Sequence, residues 1–352
     1  MVLVIKLLMI LNFVGCKSGN LKPNSQAELL EVKKDSVAER MLLYQRANGG
    51  WCQPGGNAIN YNLQLTEVQK STLLKEKSKL DATIDDQATT REIKYLVSIY
   101  KKTQNSNYLK SAERGIFYLL TAQNPKGGWG QFYPDSSSYR KYITFNDNAM
   151  IDVLWVLKYA SESTNDFDVI DKNLVPKAKS AVEKGINCIL NCQIKQKGVL
   201  TAWCAQHHNQ TLAPAKARAF ELPSISGNET VGIVRFLMSF DNPSSQIKTA
   251  IESACKWLDS VKIVGFKVID IQDSNQPSGK DRIVVADPNS TIWARFYDLE
   301  TNKPFFTGRD SVPHATLAEI ENERRIGYAY YGNWPATLLS KDYPAWQAKW
   351  TK

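Results

Sequence analysis

Cys188, Cys192, Cys204 and His207 form the pattern C-x3-C-x11-C-x2-H, a spacing able to hold a structural zinc ion. The same cysteines also read as small buried residues, or as a local disulfide between Cys188 and Cys192, one helical turn apart, formed after export. Acidic chemistry is offered by Asp85-Asp86 and by Asp147, which fall at the starts of helical patterns. An Asp at such a place ordinarily caps the helix, a contribution of about 1 kcal/mol. Arg218, Arg295 and Arg309 carry planar forks suited to gripping a carboxylate by two hydrogen bonds, a contact Lys reproduces poorly. Salt bridges to Asp298 and Asp310 compete for Arg295 and Arg309, and the charge run at 319–325 reads as a solvated helix face, which sets Arg324 and Arg325 aside. With three His in the chain, a mechanism resting on clustered histidine ligands has little to work with.

Repeats indicate what must position these side chains. Gln45 to Trp51 and Gln123 to Trp129 both read Q-x-x-x-G-G-W, each after an apolar helical pattern (Val37, Met41, Leu42, Tyr44; Ile116, Leu119, Leu120). Gln193, Gly198 and Trp203 make a looser third copy, and 253–266, with Trp257, Leu258, Val261 and Gly265, reads as a fourth. A period of about 60–80 residues leaves room for two helices and a loop per unit. Helical patterns occupy 89–102, 107–122, 147–160, 176–191, 227–239 and 246–261. The expected fold is therefore mostly α: an α/α toroid of helix pairs whose long loops converge into a cleft. The Gly-Trp turns serve as tight loops with aromatic plugs. Near the end, 266–272, 282–287 and 291–298 alternate like a small β meander.

The composition agrees with a globular chain of one large domain or two small ones: 352 residues, 43% hydrophobic and 22% charged. Net charge is 44 − 35 = +9, which favours an anionic partner such as nucleic acid, a lipid surface or an acidic polymer. No nucleic-acid-binding module is recognisable. Residues 1–15 read as a signal peptide, and Gly15-Cys16 after Phe13 and Val14 resembles a bacterial lipobox. Cys16 would then be the lipidated first residue, 16–36 a tether and 37–352 the working domain, at the cell envelope by a lipid anchor or else secreted. Five further Cys do not make a disulfide scaffold.

Two families share parts of this pattern. The segment 114–129 is close to the QW signature of triterpene cyclases, but Asp85-Asp86 sits among polar residues and lacks their acid motif. A more extensive match runs in order from about 40 to 335. It comprises Asn48-Gly-Gly-Trp51, Ala82-Thr-Ile-Asp85, the stretch 127–134, Ile143-Thr-Phe-Asn-Asp147, Trp203-Cys-Ala-Gln-His207, Ala215-Lys-Ala-Arg218-Ala-Phe-Glu-Leu-Pro223, 227–238, Trp293-Ala-Arg295, Gly308-Arg309-Asp310 and Glu323-Arg-Arg-Ile-Gly-Tyr328. These segments resemble pectate lyases of polysaccharide lyase family 10.

The resemblance implies a calcium-dependent lyase that cleaves α-1,4-polygalacturonate by anti β-elimination in the cleft of a helical toroid, acting as a monomer. Asp85 and Asp147 match the family's acidic metal positions, and Asp86 is a further ligand or sugar contact. Arg218 matches the arginine that approaches the C5 proton; Arg295 and Arg309 match substrate-binding arginines. The chemistry is consistent with these types. A C5 proton beside an ionised carboxylate is weakly acidic, and a hard dication bound by oxygens withdraws the charge. Trp129, Phe132, Tyr133 and Tyr142 are candidate sugar platforms or core, and Lys216 a candidate pocket cation. The competing functions are a catalytically silent oligouronide-binding lipoprotein and a lyase for another polyuronate, in which His207 or His314 would be central.

Overall fold

The computed structural model describes residues 33–135 and 137–350. The leader, Cys16 and the tether up to residue 32 lie outside the described residues. Helix α1 (Ser36–Tyr44) begins within the stretch assigned to the tether, because the Asp35 side chain accepts from the amides of Val37 and Ala38. After α2 (Glu67–Lys75) come three helix pairs: α3 (Thr90–Thr103) with α4 (Ser106–Ala122), α5 (Ala149–Glu162) with α6 (Leu174–Cys192), and α7 (Glu229–Met238) with α8 (Ser245–Ser260). Each lies within two residues of the span read from periodicity. Helices α3, α5 and α7 neighbour one another in one layer, and α4, α6 and α8 in the other. The sequence of α5 explains its inner place: apolar on nearly every side, it buries Met150, Val153, Leu154, Val156 and Leu157.

The repeated Gln and Trp hold this stack together. The indole Nε1 of Trp51, Trp129 and Trp203 donates to the carbonyl of Met41, Leu119 and Ile189, at 2.8, 2.7 and 2.8 Å. Each Gln amide closes its own turn and also reaches the next outer helix: Gln45 bonds Gly49 and Ser111, Gln123 bonds Gly127 and Ala181, Gln193 bonds Thr201 and Ala250. Only glycine fits at Gly49 and Gly127. Their φ values are 96° and 90°, and a Cβ would stand 2.3 Å from the Arg114 carbonyl and 2.2 Å from that of Lys184.

The fourth copy differs from expectation. Trp257 lies inside α8 and donates to Asn302. The plug is Trp293, whose indole donates to the Leu258 carbonyl at 2.7 Å. Between them the fourth turn has expanded into an antiparallel hairpin of Ile263–Gln272 and Lys280–Ala294. The expected three-strand meander is thus this hairpin with Tyr331–Gly332 added beside its second strand, while Phe296–Tyr297 pairs with Ile225–Ser226. The turn-like run Asp287-Pro288-Asn289 does not end a strand; it is taken up as a bulge between the Phe266–Ala286 and Val264–Thr291 pairs. No described helix is long and apolar enough to cross a membrane.

Candidate functional site

The loops on one face are stitched repeat to repeat by the tryptophan turns. The Trp51 carbonyl accepts from the Thr83 amide, that of Trp129 from Thr144, and that of Trp203 from Ser226, at 2.9, 3.0 and 2.7 Å. Three residues beyond each partner stands an acid: Asp86, Asp147 and Glu229. Asp86 and Asp147 adopt left-handed backbone conformations, with φ of 42° and 48°, in the short 3-10 turns Asp85–Gln87 and Asn146–Asn148. Asp tolerates this conformation better than most residues, and such outliers cluster at functional sites. Neither Asp85 nor Asp147 caps a helix, contrary to the local expectation: the caps of α3 and α5 are Thr89 and Asn148, neither with a side-chain bond to the helix.

Asp85, Asp86, Asn146, Asp147, Arg218 and Glu221 line one cavity of about 170 Å³. Burial, and then the charges of Asp85 and Asp147, push the Asp86 carboxyl above the usual range. Three carboxylates with nearby amide oxygens are a donor set suited to a hard divalent cation. Among the described residues no three His, Cys, Asp or Glu stand in a metal-holding group. Asp147 is already engaged: its Oδ1 accepts from Arg295 at 3.1 Å and its Oδ2 from the Asn146 amide at 2.7 Å.

Arg295 is buried beside these acids. Its Nη2 also donates to Glu229 Oε1 at 3.0 Å, and its guanidinium lies over the Tyr328 ring at 4.8 Å. Burial works against its charge, but Glu229 and Asp147 outweigh it and hold the pKa above the ordinary value. Asp298 is not its partner; that carboxylate closes the turn at Thr301. Arg218 is held by Glu221, its Nε donating to Oε2 at 2.7 Å and its Nη2 to Oε1 at 2.5 Å. This bond raises the pKa of Arg218 despite burial. Arg309 stands outside the cavity lining, is exposed, and pairs with Glu323 at 2.9 Å. Asp310 instead bonds His314. Lys216 is likewise outside, donating to Ser311.

Several expectations change. Arg324, set aside as solvated, is mostly buried and lies 4.7 Å over the Phe220 ring, which Arg218 and Arg309 also approach. Arg325 is buried on Asp281. The zinc pattern does not assemble: His207 Nδ1 meets the Leu212 carbonyl, Nε2 accepts from the Cys204 amide, and burial pushes the ring down to about 4. Cys188, Cys192 and Cys204 are free and buried. Of the aromatics, Trp129 is core and Tyr133 packs edge-on to Tyr118, whereas Phe132 meets Arg140 and Tyr142 meets His208. Glu221, Glu229 and Tyr328 lay within matched segments of the sequence but were given no role there. A signal existed for Glu229 alone: Ser226 to Glu229 repeats the spacing of Thr83 to Asp86 and Thr144 to Asp147.

The model of the family described as pectic acid lyase matches residues 45–339. Two solved structures of a family 10 polysaccharide lyase from Cellvibrio cellulosa are 34% identical. One, an aspartate-to-alanine mutant in complex with trigalacturonic acid, has a TM-score of 0.77 over 88% of this chain and 92% of that one. The other has a TM-score of 0.75 over 88% and 91%. A search of the curated proteins found no match. Matched by the family model over most of its length and by these lyases at 34% identity, the chain belongs to the pectic acid lyase family and is a polysaccharide lyase with the α/α toroid fold.

Proposed function

We propose that the protein is a calcium-dependent pectate lyase that cleaves α-1,4-polygalacturonate by anti β-elimination, leaving 4,5-unsaturated ends. The observation that carries this reading is the convergence of Asp85, Asp86 and Asp147 with Arg218 on one cavity. The acids would hold calcium, which when bound withdraws charge from the uronate carboxylate and stabilises the enolate-like transition state. Arg218, as base, takes the C5 proton; the C5–H electrons form the C4–C5 double bond as the C4–O bond breaks, and the departing oxygen is protonated from solvent. Glu221 favours the charged guanidinium in the resting site, so the proposed base form needs alkaline pH and the charge of the bound cation beside it. Arg295 orders Asp147 from within, and Arg309 offers its exposed fork to a neighbouring uronate.

The trigalacturonic acid bound by the related lyase supports a polyuronate substrate. The silent-binder alternative is opposed by the intact Asp85, Asp147 and Arg218. The alternative polyuronate lyase is opposed by His207, whose ring is buried with both nitrogens bonded to backbone. The sequence of residues 1–15 and Cys16 supports an exported, lipid-anchored protein, checked by mass spectrometry of the mature amino terminus. The test of function is incubation with polygalacturonate with and without a calcium chelator, following ultraviolet absorbance of the unsaturated product. No calcium-dependent rise at alkaline pH would sink the reading.

A further inference from the structure

We propose that Glu221 is a positioning residue of the reaction: it grips one edge of the Arg218 guanidinium so that the opposite edge is presented to the substrate's C5–H. This rests on the reading of Arg218 as the base. Glu221 is itself fixed by the backbone. Its amide donates to the Arg218 carbonyl and its carbonyl accepts from the Ala217 amide, both at 3.0 Å, closing a tight turn. Glu221 is 5% exposed, whereas the Arg218 side chain is 45% exposed. The buried carboxylate accepts from Arg218 Nε and Nη2, from the Arg218 amide at 3.2 Å, and from the Tyr328 hydroxyl at 3.0 Å.

All the fixed contacts of the guanidinium therefore lie on its Nε–Nη2 edge, and its face rests 4.9 Å over Phe220. Among the described residues Nη1 has no hydrogen-bond partner, and Arg218 shares its cavity with Asp85, Asp86 and Asp147. A long side chain otherwise free to sample many rotamers is reduced to one orientation before substrate arrives. The carboxylate's charge opposes loss of a proton from Arg218, so an electrostatic role alone would slow the base. Placement is the benefit the geometry offers.

The test compares Glu221→Ala, Glu221→Gln, Tyr328→Phe, Arg218→Ala and the Arg218→Ala/Glu221→Ala double variant on polygalacturonate with saturating calcium. Glu221→Ala is expected to lower kcat about 100-fold, with KM changed less than about two-fold. Formate, a small carboxylate able to enter the vacated space, should restore part of that kcat and none in Arg218→Ala. Because Glu221 acts through Arg218, the double variant should be no slower than Arg218→Ala. If Glu221→Ala fails to fold, Glu221→Gln keeps the shape and should lose about ten-fold in kcat, and Tyr328→Phe less, since it leaves both Arg218 contacts in place. An inactive Arg218→Ala beside a Glu221→Gln at wild-type kcat overturns the positioning role and leaves the base intact. An active Arg218→Ala overturns the base reading, and this inference with it.

Discussion

Arg295 Nη2 stands 3.1 Å from Asp147 Oδ1, so two residues separated by 148 positions share one half-buried contact at the cavity wall. The same nitrogen reaches Glu229, the third acid in the repeat series after Asp86 and Asp147. In the third repeat a resident guanidinium supplies the cation; in the first, Asp86 faces its neighbouring carboxylates with its pKa raised. In the proposed function the calcium would be held by Asp85, Asp86 and Asp147, whose carboxylates line the cavity.

Replacing Arg295 by Met should leave Glu229 buried without its cation and lower the unfolding free energy by about 3–5 kcal/mol. Urea titration measures it. An Arg295→Met chain as stable as wild type would mean that Glu229 does not depend on this pair.

Calcium removal by chelation should abolish lyase activity, and Asp86→Asn should raise the half-saturating calcium about ten-fold or more by removing one anionic ligand. The measurement is rate against free calcium. An unmoved curve for Asp86→Asn would exclude that carboxylate from the metal set.

His207 should make stability fall in mild acid. Its pKa is depressed from 6.5 to about 4, so above 6.5 the ring is neutral in both states and its stabilisation is complete. As pH falls from 6.5 towards 4, the unfolded chain binds the proton first, and stability drops by about 1.4 kcal/mol per unit. His207→Gln should show a shallower slope of unfolding free energy over this window. Equal slopes would contradict the buried neutral ring.

Arg309→Ala should leave the thermal midpoint unchanged, since its pair with Glu323 is exposed, yet raise KM for polygalacturonate with little change in kcat. A fall in kcat with KM constant would move Arg309 from substrate binding to the reaction itself.

Much of the architecture was legible because its causes are local. Apolar periodicity set α3 to α8 within two residues, and the Q-x-x-x-G-G-W copies marked turns whose glycines and indoles have no alternative place to go. The site was legible in part. Asp85, Asp147 and Arg218 were named from matched segments, and Asp86 has a counterpart of Asp147 written in the spacing from Thr83.

By itself the sequence determined the helices, their pairing period and the acids and arginines available to a polysaccharide lyase. Tertiary structure decided which of them meet. It gave Arg295 to Asp147 and Glu229 rather than Asp298, and turned His207 to backbone partners instead of the cysteines. It also passed the fourth plug from Trp257 to Trp293 across a hairpin. The reason is that helix periodicity and turns follow from neighbours in the chain. A buried charge, by contrast, takes the partner that packing of distant repeats brings within reach, and spacing along one strand of text does not encode that distance.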